Sequence, residues 1–210
     1  VQHVLPTPGP EHWHSVAGIP ARFRALRLDT HPNLTGNKDN PGLLDRLHRA
    51  AWTGTASWWF HGEYGVGKTA LAVGYAWEVL NTDGGSVCFR TLPDLLAELR
   101  ATYDREQRRR GTPWDGPLTV PGDTEADVLH RYQTCGLLIL DDLGAEYLRT
   151  NGGGDPENTW VADRLYQIIG KRHDELRPIV ITSNLAPEQI AERIGPRVVW
   201  RAVEMSGAAN

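Results

Sequence analysis

Apolar residues fall into two alternating patterns along this chain. Four short, nearly uninterrupted runs read as strands: residues 57–61 (SWWFH), 86–90 (SVCFR), 136–141 (GLLILD) and 178–182 (PIVIT). The run at 137–140 lacks the apolar–polar alternation of a half-solvated strand, so both of its faces are expected to be buried. Between the runs the spacing is helical. Leu43, Leu44, Leu47 and Ala51 follow Pro41, a suitable first-turn residue. Residues 69–80 are apolar nearly all round, which predicts a central, buried helix. Leu92, Leu95, Leu96, Leu99 and Tyr103 make one stripe. Residues 124–132 form a helix capped by Thr124, and Asp155-Pro156 opens another carrying Val161, Leu165, Ile168 and Ile169 on one face. A short helix follows Pro187, and a further one starts near Gly195. Residues 104–123 read as a charged helix end and then a Pro/Gly loop, and 151–155 (NGGGD) as a loop. Residues 1–40, rich in Pro, His and Gly, are expected to form an arm packing on a domain that spans 41–210. Strands alternating with helices imply an α/β fold with a parallel sheet covered on both faces.

Composition narrows this only a little. A chain of 210 residues supports one sizeable core. A net charge of -4 rules out a general attraction to nucleic acid or anionic membrane, leaving room for a local basic patch. Basic residues are almost all Arg; Lys38, Lys68 and Lys171 are the lysines. Cys88 and Cys135 stand far apart in sequence, which rules out a cysteine-built zinc site and argues against a disulfide framework. No cysteine or acidic ligand set accompanies His3, His12 and His14, which are read as part of the arm. No apolar stretch reaches membrane-spanning length and no signal-peptide pattern is present, so a cytoplasmic protein with no membrane partner is expected. The chain begins at Val1 without a methionine and reads as a piece of a longer protein.

Candidate chemistry enters where strands end. Residues 137–144 (LLILDDLG) run an apolar strand into Asp141 and Asp142. Two carboxylates about 5 Å apart repel by roughly 3 kcal/mol at an effective dielectric near 20, so a bound cation is the natural occupant. After the first strand stands GEYGVGKT, residues 62–69, which fits G-x-x-x-x-G-K-[ST]. Gly62, Gly65 and Gly67, with Glu63, Tyr64 and Val66 between them, let the backbone turn its amides toward phosphate oxygens. The helix that follows, through Ala70, aims its positive end at the same place. Lys68 can reach the β- and γ-phosphates of ATP, and the Thr69 hydroxyl can ligate Mg²⁺. The pattern arises by chance in on the order of one per cent of chains this long. A Gly-rich turn with a surface lysine is the alternative. Asp141 is then assigned to Mg²⁺ and Asp142 to polarising the attacking water, against a turn or capping role for the pair. In 179–184 (IVITSN), Asn184 can reach the γ-phosphate or the lytic water, or simply close a turn.

The order of phosphate loop, LLILDDLG, IVITSN and GPRVVWR resembles the AAA+ ATPases. More narrowly it is similar to the DnaC/IstB group of replicative-helicase loaders and ATP-binding helpers of insertion-sequence transposition. The likeness runs from AGIPARFRALRLD at 17–29 through Arg201 and includes LPDLLAELR and LYQIIGKRHDELRPIVITSNL. It implies a sheet of order 5-1-4-3-2, here with the fifth strand missing and one edge exposed. It implies that Arg201, with Arg197 before it, belongs to an arginine finger reaching the ATP of the next subunit, against an ordinary surface arginine. It also implies a path for single-stranded DNA along the helix after the second strand, at Arg100, Tyr103, Arg105, Arg108, Arg109 and Arg110. A solvated helix end is the alternative there. Residues 22–29 would line the adenine pocket or only pack. In many relatives the position of Asp142 holds Glu, so its role as base is the least secure of the set.

The function expected from the resemblance is Mg-dependent ATP hydrolysis in DNA replication, as a helicase loader that self-associates through the ATP site. The alternatives are an IstB-like transposition helper, whose partner is a transposase, and a nucleotide-gated binding module with negligible hydrolysis. A P-loop kinase is disfavoured by Asn184.

Overall fold

The computed structural model describes residues 16–29, 42–83, 86–111, 123–144 and 156–207. The runs read as strands become β2 (Trp58–His61), β3 (Val87–Thr91), β4 (Leu137–Asp141) and β5 (Ile179–Ser183). All are parallel to their neighbours. Burial explains their sequences. Leu137, Ile139 and Val180 enter one core, while Leu138, Leu140, Ile179 and Ile181 enter the other. A strand buried on both faces takes apolar residues on both, and β4 and β5 are buried throughout, with their polar residues Asp141, Thr182 and Ser183 gathered at the carboxyl ends.

Two helical layers supply those cores. One holds α1 (Leu43–Thr53) and α2 (Lys68–Asp83). The other holds α3 (Leu92–Gly111), α4 (Glu125–Thr134), α5 (Pro156–Asp174), α6 (Pro187–Ile194) and α7 (Pro196–Met205). Helix α2 is buried along 70–80, Glu78 included, as a surface apolar nearly all round predicts. Thr124 caps α4 as expected: its hydroxyl accepts from the Asp127 amide at 3.2 Å, and Asp127 accepts from the Thr124 amide at 2.9 Å.

In the numbering of the four predicted strands the sheet runs 1-4-3-2, as expected without a fifth strand. Among the described residues β2 has β5 as its sole neighbour. The arm does more than pack. Val16–Ala17 forms β1, parallel to β3 at the opposite edge, so the full order is β1-β3-β4-β5-β2. An edge strand's unpaired amides and carbonyls explain why so short a segment pairs there. The arm then turns through a 3-10 segment, Ala21–Phe23, and lies on α2. Leu28 is fully buried against Gly74 of α2, where an added methyl would meet the Leu28 side chain at 2.7 Å. The Arg27 guanidinium sits 4.4 Å from the centre of the Trp77 ring. These contacts are those of packing. His3, His12 and His14, and residues 112–122 and 145–155, lie outside the described residues.

The register carries function. Thr91 pairs with Asp141, and His61 with Ser183. The carboxyl ends of β2, β4 and β5 therefore open on one edge, the place where open parallel sheets bind ligands.

Candidate functional site

Residues 62–67 leave β2 as a loop and enter α2 at Lys68. Gly65 and Gly67 have φ of 79° and 96°, a region that side-chain-bearing residues avoid, which is why the loop requires glycine there. Glu63, Tyr64, Gly65 and Val66 are exposed, Gly62, Gly67, Lys68 and Thr69 are half-buried, and Ala70 is buried. The Lys68 ammonium donates to the carbonyls of Gly62 at 2.9 Å and Glu63 at 2.7 Å. Burial lowers the Lys68 pKa, while the carboxylates of Asp142 and Asp141 act in the opposite direction.

Across the chain, 72 residues away, Asp141 meets this loop. The Thr69 hydroxyl donates to Asp141 Oδ1 at 2.8 Å. Thr182, on β5, donates to the same oxygen at 2.6 Å. Asp141 is buried and ends β4. Asp142 turns away from it with φ of 58°, a left-handed conformation that Asp tolerates better than most residues, and its side chain is exposed. Asn184 Nδ2 donates to Asp142 Oδ1 at 3.3 Å. The two aspartates thus serve different spaces: one faces Thr69 and the sheet, the other faces solvent beside Asn184.

In the sequence Thr182 is one more residue of a strand, and no motif there marks it as part of the site. Its hydroxyl also accepts from the Asp142 amide at 2.9 Å, and its carbonyl accepts from the Leu143 amide at 2.8 Å. It therefore holds both aspartates in register. The signal available was a hydroxyl residue two places before Asn184 in an otherwise apolar strand. Thr182→Val is expected to cost about 2 kcal/mol, because a buried amide and a carboxylate oxygen each lose a partner. A melting point lower by roughly 4–8 °C would record it; an unchanged melt would mean that Thr182 anchors nothing.

Hard oxygen ligands are what Mg²⁺ takes, usually one or two from protein with the remainder from phosphate and water. Thr69 and Asp141 offer such a pair, and among the described residues the buried Asp141 carboxylate has hydroxyl partners and no ion pair. Among the described residues no group of three or more His, Cys, Asp and Glu converges as a dedicated cage. The donor set fits a cation brought in with a polyphosphate.

Arg201 is elsewhere. Its Nη1 donates to the Arg197 carbonyl at 3.2 Å, and its guanidinium lies 4.6 Å from the centre of the Tyr166 ring. These contacts do not include residues 62–70 or 141–142. Arg197 is exposed on the first turn of α7. Arg100 lies 5.2 Å from the Trp160 ring centre, so it bridges α3 to α5, whereas Tyr103 is 59% exposed. The side chains of Arg105, Arg108, Arg109 and Arg110 lie outside the described part. No helix among the described residues is long and apolar enough to cross a membrane.

No model of a known protein family matches the chain. Among curated proteins it is 26% identical over 146 residues to the replicative helicase loader DnaC of Escherichia coli strain K12, covering 70% of this chain and 49% of that protein. It is 29% identical over 171 residues to Rv3427c of Mycobacterium tuberculosis, named as an ATP-binding protein in an insertion sequence, covering 80% of this chain and 57% of the relative. The chain thus spans about half the length of these curated relatives. Its structure is similar to that of the DnaC helicase loader, with a TM-score of 0.66, 25% identity and coverage of 89% of this chain and 96% of the other. DnaI is matched with a TM-score of 0.64 at 19% identity, over 93% and 94% of the two chains. AMPPCP-bound DnaA from Aquifex aeolicus is matched with a TM-score of 0.62 at 17% identity, over 89% and 49%, a likeness of fold. The homologues are those of the DnaC/IstB group, and the fold is that of the AAA+ P-loop domains.

Proposed function

We propose that this chain is an ATP-binding and ATP-hydrolysing AAA+ domain that works as a helicase loader in DNA replication. The observation that carries the reading is the 2.8 Å contact between Thr69 and Asp141, which joins the phosphate loop to the strand-end carboxylate. In this reading the loop amides and Lys68 hold the β- and γ-phosphates, and Thr69 and Asp141 hold Mg²⁺. Bound there, the cation would neutralise charge on the phosphate oxygens. Asp142, exposed and oriented by Asn184, accepts a proton from the attacking water. Asn184 also donates toward the γ-phosphate. Arg201 acts on the ATP of a neighbouring subunit, a role that its separation from its own phosphate loop supports. Exposed Tyr103 and the arginines of α3 form the single-stranded DNA path. The similarity to helicase loaders supports a helicase as partner.

The decisive comparison pairs Arg201→Ala with the loop variant Lys68→Ala. Arg201→Ala is expected to bind ATP as the parent does while turnover falls at least about a hundredfold, the scale of an arginine finger's contribution. Equal loss of binding in both variants would refute the division of labour. A second reading, a transposition helper, is favoured by the longer match to the insertion-sequence relative. Retention of a transposase rather than a hexameric helicase in a pull-down would select it.

A further inference from the structure

We propose that Tyr166 is a positioning residue for the arginine finger: its ring holds the Arg201 guanidinium in place without neutralising it. The inference rests on the reading of Arg201 given above and concerns how this chain prepares that group. An arginine that must stabilise charge on another subunit's ATP has two requirements. Its long side chain has to be restrained before the neighbour arrives, and its charge has to remain available. A carboxylate would satisfy the first and defeat the second. An aromatic face satisfies both, because it attracts a cation while bringing no counter-charge.

The surroundings of Arg201 meet those requirements. Helix α7 buries Val198, Val199, Ala202 and Val203, which leaves Arg201 half-buried at the margin of the helix. Helix α5 buries Leu165, Ile168 and Ile169 and presents Tyr166, 41% exposed, at the same margin. The guanidinium sits 4.6 Å from the ring centre. Among the described residues its side chain has one hydrogen bond, to the Arg197 carbonyl one helical turn back. Among the described residues Arg201 makes no ion pair. The acidic residue on its own helix three places on, Glu204, is engaged by His173 at 3.1 Å. The Tyr166 hydroxyl makes no hydrogen bond among the described residues, so the ring is the part that acts.

Two measurements on the full chain test this. In the nucleotide-free protein labelled at arginine, the Arg201 Nε–H and δ-methylene resonances are expected to carry a ring-current shift. That shift should vanish in Tyr166→Leu and persist in Tyr166→Phe. Identical Arg201 resonances in parent and Tyr166→Leu would overturn the contact. In ATP turnover, Tyr166→Leu is expected to lower kcat roughly ten- to hundredfold, the cost of misplacing a transition-state group, with KM for ATP unchanged. Tyr166→Phe should stay within about twofold of the parent. If Arg201→Ala loses turnover and Tyr166→Leu keeps it, the positioning role fails and the finger stands. If Arg201→Ala keeps turnover, the finger fails and the positioning role goes with it.

Discussion

Lys68→Ala is expected to reduce ATP affinity by at least about a hundredfold while leaving the melting point of the nucleotide-free chain within about 2 °C of the parent. The asymmetry follows from what Lys68 does without nucleotide. Its ammonium donates to two loop carbonyls, of Gly62 and exposed Glu63, at the solvent margin where water can replace it. Phosphate oxygens are stronger acceptors than carbonyls because they are charged, so the interactions that matter most form with ligand. The carboxylates of Asp142 and Asp141 favour the charged ammonium and offset the burial that opposes it. Calorimetric titration with ATP and a thermal melt of the same preparation read both halves. Retained affinity would remove the loop from nucleotide binding; a large fall in the melt would recast Lys68 as a structural residue.

Arg172→Leu is expected to be the most destabilising single change in the described core, by about 4 kcal/mol, with the melting point lower by on the order of 10 °C. Arg172 is fully buried at the end of α5. Its Nη1 donates to the carbonyls of Tyr132 at 2.8 Å and Cys135 at 3.0 Å, and more distantly to Gln133. Its Nη2 donates to the carbonyls of Gly136 at 3.1 Å and of Pro178. One guanidinium thereby closes the end of α4 and the entries to β4 and β5. Leucine fills part of the volume but leaves those carbonyls unpaired in a dry site, and each unpaired acceptor carries its desolvation cost. Burial lowers the Arg172 pKa, opposed by the neighbouring Cys135 thiol. The neighbouring Cys88 thiol and the Arg172 charge lower the Cys135 thiol's own pKa. Arg172→Lys should recover little of the loss, since three donors on one nitrogen cannot span acceptors spread over three elements. Urea or thermal unfolding of the three proteins decides it. A melt of Arg172→Leu close to that of the parent would show that water satisfies the carbonyls.

These two residues also mark where sequence reading succeeds and where it stops. The place of Lys68, in a glycine loop between a strand and a helix, was legible because the glycine spacing and the flanking apolar patterns mark that turn. The strands were legible for a related reason: β4 and β5 are buried on both faces, so their apolar runs, 137–140 and 179–181, carry no polar interruption before their carboxyl ends. Arg172 was not legible, because KRHDELR reads as a solvated helix end. A signal was present all the same. Leu165, Ile168 and Ile169 define an inward stripe, and position 172 continues it. Only the carbonyls of α4, β4 and β5, brought together by the fold, show why an arginine belongs there.

Long-range pairing was the other blind spot. Nothing in the local pattern around Val16 and Ala17 marks a strand, since their pairing is supplied by the edge of β3. Cys88 and Cys135 are distant in sequence yet are buried in the same core. Tyr166 and Arg201 lie on α5 and α7, and each looks like an ordinary exposed residue until the helices pack. In contrast, the convergence of residues 62–69 with Asp141 is expected from the two motifs, and the fold realises it because parallel strands in one sheet send their carboxyl ends to one edge.

A crystal structure of the chain with Mn²⁺ in place of Mg²⁺ and a non-hydrolysable ATP analogue tests that convergence most directly, since manganese reports its position by anomalous scattering. The prediction is one manganese peak within coordination distance of Thr69 Oγ1, reached by Asp141 directly or through one water. The analogue's phosphates should lie in the loop of residues 62–69. A peak remote from Thr69 and Asp141, or phosphates bound outside that loop, would contradict the account.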